Sequence, residues 1–346
     1  MGRAATRFLV FVAIGIGALS SAAIYVAVRF EAPGPLAQPT TVVIPPATGL
    51  SGTAKLLAGK GIIASRPVFV AGVTAMGGGR PLMAGEYAVP ASLSARGVME
   101  LLQSGKTIVH KLTIAEGLSS AQVMAEIASA EALAGPLPSE PADGRLLPET
   151  YHYSYGELRA DMVSRMARAM DDMLAFQWAH RQANLPIKTA EQALVLASIV
   201  EKETAKAEER PRVAAVFLNR LRKGMRLQSD PTVVYALTKG EHTLGRPLSR
   251  DDLETASPYN TYLIDGLPPG PIDNPGRDSL LAVVRPADSD DLYFVADGTG
   301  GHAFARTLDE HNRNVANWRK IQANGNAAPA SQNVSPSGRN GASPTP

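Results

Sequence analysis

The sequence predicts an α+β fold held behind a single N-terminal transmembrane helix. Three observations predict it: an uncharged apolar run near the N-terminus, a strand–turn–helix theme that recurs in the first third of the chain, and a second half dense in helix start and stop signals. The run, "FLVFVAIGIGALSSAAIYVAV", occupies residues 8 to 28. At about 1.5 Å per residue it covers the ~30 Å hydrocarbon layer, whereas a cleaved signal peptide would need an apolar region of only about 7 to 15 residues. Arg3 and Arg7 precede the run while Arg29 and Glu31 follow it. The positive-inside rule therefore keeps residues 1 to 7 cytoplasmic and puts everything beyond residue 30 outside.

Composition narrows the chemistry. The chain has 346 residues, 45% of them apolar and 19% charged, enough for one sizeable core and a smaller domain. A formal charge of +2 argues against a nucleic-acid partner, which would call for a concentrated basic face. The absence of cysteine removes disulfides, thiolate metal sites and Cys nucleophiles. None of the six histidines pairs with another at i, i+4, so no metal site is expected. No G-x-S-x-G is present to support a serine hydrolase, and no cofactor motif stands out.

After the anchor, residues 29 to 39 with their "EAPGPLAQPT" read as a Pro-rich linker. The recurring theme follows, in "VVIPPATGLSGTAKLLAGKGII" (42 to 63), "YAVPASLSARGVMELLQSGK" (87 to 106) and "HKLTIAEGLSSAQVMAEIAS" (110 to 129). Each pairs a β-prone start with a short amphipathic helix. Self-similarity at this scale points to small strand–helix units packed together, either a spacer or a glycan-binding module, and the region up to residue 186 connects them to the denser second half. The low-complexity segment from 323 to 346 reads as a disordered tail.

In that second half, Thr189 and Gln192 predict a capping box that opens a helix over about 190 to 207. Leu196, Ile199, Val200 and Glu203 fall at i, i+3, i+4, i+7 and form one core-facing stripe; Glu201, with Lys202 and Lys206, falls on the solvated side. A carboxylate aimed inward would be partly desolvated and could hold a proton at neutral pH, as a general acid must. The alternative is a buried ion pair between Glu203 and Arg210, Arg212 or Arg220. Pro211 suits the first turn of a second helix, which Gly224 ends. "MRLQSDPTVVYAL" then presents Gln228, Ser229, Asp230 and Thr232 on a turn, with Asp230 the expected N-cap of a short helix. The long loop "ASPYNTYLIDGLPPGPIDNPG" (256 to 276) offers Tyr259, Asn260 and Tyr262, whose flat faces and hydrogen-bonding edges suit sugar rings or a packed loop equally. "LYFVADGTGGHAFA" (292 to 305) reads as a β-hairpin with Gly298, Gly300 and Gly301 in its turn.

Taken together, "LASIVEKET", "VFLNRLRKGMRLQSDPTVVYAL", "SPYNTYLIDGLPPGPIDNPG" and "LYFVADGTGGHAFARTLDEHN" resemble the YceG-like (MltG) endolytic murein transglycosylases. The resemblance implies a LysM-like module over residues 40 to 107, a connecting region over 108 to 186 and a lysozyme-like catalytic domain over 187 to 322. It implies Glu203 as the single catalytic acid/base. Gln228, Ser229, Asp230, Thr232, Tyr259, Asn260 and Tyr262 become the substrate-binding set, with no metal and no cofactor. Its substrate would be peptidoglycan strands on the periplasmic side of the inner membrane, cut beside the wall-elongation synthases.

Overall fold

A computed structural model describes residues 3 to 323 of the chain; the expected tail, from 324 onward, lies outside the described residues. The mixed α/β chain divides into two compact units. The first takes residues up to Lys111 with Glu131–Ala134 and His152–Leu158, and the second takes the remainder.

In the first unit, helix α1 (Arg3–Glu31) contains a stretch, Thr6–Glu31, long and apolar enough to cross a bilayer. Strand β1 (Thr40–Ile44) is followed by α2 (Leu50–Gly59) and α3 (Arg66–Met76), and β2 (Gly85–Val89) returns antiparallel to β1, Thr40 opposite Val89 and Ile44 opposite Gly85. Period-two alternation turns Val42, Ile44, Tyr87 and Val89 inward, where Leu57, Phe69 and Leu102 meet them. Leu102 comes from α4 (Ala95–Ser104), which Ser94 caps at its start and left-handed Gly105 ends. The expected strand–helix pairs are present, with α3 added between them.

The linker differs from expectation. Gly34 N–H donates to Ser92 O (3.2 Å), Ser92 N–H donates to Leu36 O (2.9 Å), and Leu36 packs on the core. The final turns of α1 join the same core through Val26 and fully buried Phe30, whose ring fills the notch left at Gly72. A chain whose polar backbone groups and apolar side chains are both satisfied has no reason to float, despite its prolines.

Strands β3 (Val109–Thr113) and β4 (Thr150–Ser154) pair as a ribbon, and the division between the units falls within both strands. The second unit also holds α5 (Ser120–Ser129), α6 (Arg159–Ala179), α7 (Ala190–Glu203), α8 (Arg210–Arg222), α9 (Asp230–Thr238), α10 (Arg250–Leu253) and α11 (Arg277–Val284). Hairpin β5 (Tyr293–Ala296) and β6 (His302–Ala305), with α12 (Leu308–Ala323) packed on it, completes the unit. At its centre, α7 is packed by α6, α8, α9 and α11, and every residue from Ala193 to Val200 is buried. The predicted stripe is real, but the helix is apolar on all sides because neighbours enclose it.

Candidate active site

Helix α7 begins at Thr189, whose hydroxyl accepts from Gln192 N–H (3.2 Å), while the Gln192 amide accepts from Lys188 N–H (2.6 Å) and not from Thr189. It ends at Glu203, four residues before the expected position. Thr204 turns extended, and its hydroxyl accepts from Lys206 N–H (3.1 Å) and donates to Glu209 (3.3 Å), a local arrangement that competes with another helical turn. Glu203 thus sits on the last residue of a buried helix.

Its side chain is partly buried and accepts from the Ser229 hydroxyl at 2.5 Å. Burial pushes its pKa up to about 7, and the charge of Asp230 adds to this; the Ser229 hydrogen bond and the charge of Arg220 pull the other way. The negative end of the helix dipole also opposes ionisation there. Among the described residues Glu203 makes no ion pair with an arginine. Arg220 directs its guanidinium to the carbonyls of Leu292 (2.7 Å) and Leu227 (2.6 Å), and Arg212 pairs with Asp291 (2.6 Å). The carboxyl is therefore held in place and poised near neutrality.

The turn before α9 supplies its surroundings. Ser229 stands at the N-cap, yet its hydroxyl serves Glu203 and caps nothing. Asp230, expected as the cap, is the first helical residue instead and accepts from the Tyr262 hydroxyl (2.6 Å). Thr232 is fully buried: its hydroxyl bonds Ser229 O (2.6 Å) and the Thr261 hydroxyl (2.8 Å). Thr261 in turn accepts from Ser229 N–H (2.9 Å), and its carbonyl accepts from Gln228 N–H (3.1 Å). Gln228 is exposed at φ +51°, a left-handed conformation strained by about 1 to 3 kcal/mol for a residue with a side chain.

The loop residues separate into two kinds. Tyr262 lies beside Asp230, and burial together with that carboxylate keeps its phenol protonated. Tyr259 packs against Tyr235 (ring centroids 4.8 Å apart), and the Tyr235 hydroxyl donates to Asp143 (2.6 Å). Asn260, in contrast, is fully buried; its amide donates to Leu253 O and Thr255 O (both 2.9 Å) and accepts from Tyr262 N–H (3.0 Å). With both N–H groups used within the loop and the residue fully enclosed, it shapes the loop. Thr261 and Tyr235 have no role in the sequence reading, and Arg220 enters it only as a possible ion-pair partner of Glu203. Thr261 alone carried a signal, lying between two residues singled out there.

Glu201 corrects the helical-wheel reading. Its side chain is 5% exposed, and it bonds Arg210 (3.0 Å) and accepts from Gly276 N–H (2.9 Å). Arg210 also reaches Glu116 (3.4 Å). The arginine pair considered for Glu203 is found one turn-face away, on Glu201. Nearby Asp273 is 1% exposed with neither carboxylate oxygen hydrogen-bonded, and burial drives its pKa well above the ordinary value.

Comparison with known proteins agrees with the sequence motifs. An endolytic murein transglycosylase of Bacillus subtilis is 31% identical over 78% of this chain and 82% of its own length. The Streptococcus pneumoniae protein of the same name is 38% identical over 50% of this chain and 32% of its own. A YceG-like protein of Listeria monocytogenes, of solved structure, shares 32% identity over 80% of this chain and 99% of its own, with a TM-score of 0.47. Residues 42 to 317 match the YceG-like family as a whole, and the chain belongs to that family.

Proposed function

We propose that this chain is a membrane-anchored lytic transglycosylase that cuts peptidoglycan strands internally, at the β-1,4 bond between N-acetylmuramic acid and N-acetylglucosamine. The observation that carries the proposal is Glu203: partly buried, fixed by Ser229, without an arginine pair among the described residues and raised to about 7. A single carboxyl near neutrality can act twice. Protonated Glu203 gives its proton to the glycosidic oxygen as the C1–O bond breaks. The carboxylate so formed takes the proton of the muramoyl C6 hydroxyl, whose oxygen closes on C1 to leave a 1,6-anhydro end. No water enters, and the nucleophile belongs to the substrate itself, which gives the step its proximity advantage. The Arg220 charge favours the carboxylate between the two transfers.

Gln228, Tyr259 and Tyr262 would orient the sugars, while Ser229, Asp230 and Thr232 serve them indirectly through Glu203, Tyr262 and Thr261. Residues 187 to 322 act as a lysozyme-like catalytic domain and 40 to 107 as a LysM-like module. The apolar helix anchors the chain with its N-terminus inside, which puts the catalytic residues in the periplasm, beside the wall-elongation synthases. Digestion of purified strands followed by mass spectrometry tests the reaction. Anhydro ends are expected; products heavier by one water would make the enzyme a hydrolase with Asp230 or Asp265 as base, and uncut strands would leave a wall-binding scaffold.

A further inference from the structure

One histidine, directly after the glycine-rich hairpin turn, is not used by the proposed chemistry. His302 opens β6, and its backbone and ring both reach Glu209: the backbone N–H donates to Oε1 (3.0 Å), and Nδ1 lies 2.7 Å from Oε2. An ionised carboxylate only accepts, so the ring proton sits on Nδ1. The ring is further fixed edge-on to Phe294 (5.2 Å, 82°), which stands edge-on to Phe217 of α8 (5.7 Å, 89°). The second oxygen that His302 holds is the one to which Thr204 donates. Thr204 is 2% exposed and directly follows Glu203.

Resting on Glu203 as the acid, we propose that His302 and Glu209 are positioning residues for it. The chain His302–Glu209–Thr204 fixes the backbone at the point where α7 stops. Glu209 N–H also donates to Lys206 O (3.1 Å), and Lys206 N–H to the Thr204 hydroxyl, so the intervening turn is closed on itself. Ser229 holds the carboxyl from the other side. With the backbone fixed just after Glu203 and the carboxyl tethered by Ser229, the side chain keeps the direction that proton delivery requires, and a displacement of about 1 Å at such a group lowers a rate by as much as 100-fold.

The test uses the full-length protein in detergent with purified strands as substrate. His302→Leu removes the ring donor and is expected to lower kcat about 10- to 100-fold while KM stays within about twofold. His302→Asn restores an N–H where Nδ1 lay and is expected to recover most of that loss. Thr204→Val, which removes only the hydroxyl, is expected to lower kcat in the same direction and carries the test should the leucine variant fail to fold. An unchanged kcat in folded His302→Leu or in Thr204→Val, or an asparagine variant as impaired as the leucine one, overturns the proposal. Glu203→Gln in the same assay separates the two failures. If it is dead while His302→Leu is fully active, only the positioning role falls; if it is active, the acid assignment falls and takes this role with it.

Discussion

Glu201 and Glu203 leave the same last turn of α7 and meet opposite surroundings. Glu201 is enclosed by charge partners and backbone donors, with Arg210, Gly276 N–H and, through Arg210, Glu116 around it. Glu203 has one hydroxyl bonded to it and no ion pair among the described residues; Asp230 repels its charge, and Arg220 acts on it only through space because its guanidinium is turned toward carbonyls. Two carboxylates of one sequence motif thus divide into a structural ion pair and a titratable acid, and what divides them is the supply of positive charge. Burial alone does not make an acid; burial without a paired cation does.

The sharpest way to break that comparison is to remove the acid. Glu203→Gln is expected to lower lytic activity about 1,000-fold, within the range general acid–base groups supply. The same variant should be more stable than the parent at alkaline pH. With Glu203 raised from 4.5 to about 7, the fold keeps a proton that the unfolded chain releases. Stability therefore falls as pH rises across that window, by roughly 3 kcal/mol, and the glutamine variant lacks this slope. Denaturant titrations at pH 4 and pH 8 read it directly; parallel slopes in both proteins would mean that Glu203 ionises freely.

The opposite mutation tests the other carboxylate. Arg210→Met strands Glu201 inside the fold and should destabilise the second unit by about 3 to 5 kcal/mol, because a buried charge loses its counter-ion. Pairing it with Glu201→Leu should recover most of the loss. A double variant no better than the single one would show that Arg210 matters through its packing and not through this pair.

How much of this division the sequence contains is visible in the same two residues. The inward direction of Glu203 was legible because it depends only on the helix's own period, and the helix forms where Thr189 starts it. The burial of Glu201 was not, because Gly276 and Glu116 come from 75 and 85 positions away and a helical wheel contains neither. The same limit explains Asp230. A cap preference is local, but Ser229 reaches the cap position because its backbone is tied to Thr261, 32 residues on. The packing of residues 29 to 39 is hidden for a related reason: proline content speaks of stiffness and turns, and says nothing about Leu36 finding a core to pack on. Asn260 looked like a ligand-binding side chain because composition cannot tell an amide that faces a groove from one that staples its own loop.

A smaller change sharpens the tuning of the acid. The Ser229 hydrogen bond holds the Glu203 pKa below what burial alone would give. Ser229→Ala should therefore move the alkaline limb of the pH–rate profile upward, by about one pH unit for a bond of about 1 to 2 kcal/mol. The maximal rate should fall as well, since the carboxyl loses its tether. A limb that stays in place would assign the pH dependence to another group.

The smallest effect concerns strain, which the two sides of α7 also treat differently. On the Glu201 side the left-handed position is taken by Gly117 (φ +77°), which adopts it without steric penalty. On the Glu203 side it is taken by Gln228 (φ +51°), where a glycine would serve the backbone better. Strain retained in a residue with an exposed polar side chain, directly before the serine that holds the acid, fits a side chain needed for contact with substrate. Gln228→Gly is accordingly expected to raise stability by up to about 1 kcal/mol and, in the same protein, to raise KM for glycan strands several-fold with kcat little changed. A more stable enzyme with unchanged KM would mean that the glutamine side chain reaches no sugar, which would leave the proposed sugar contacts to Tyr259 and Tyr262.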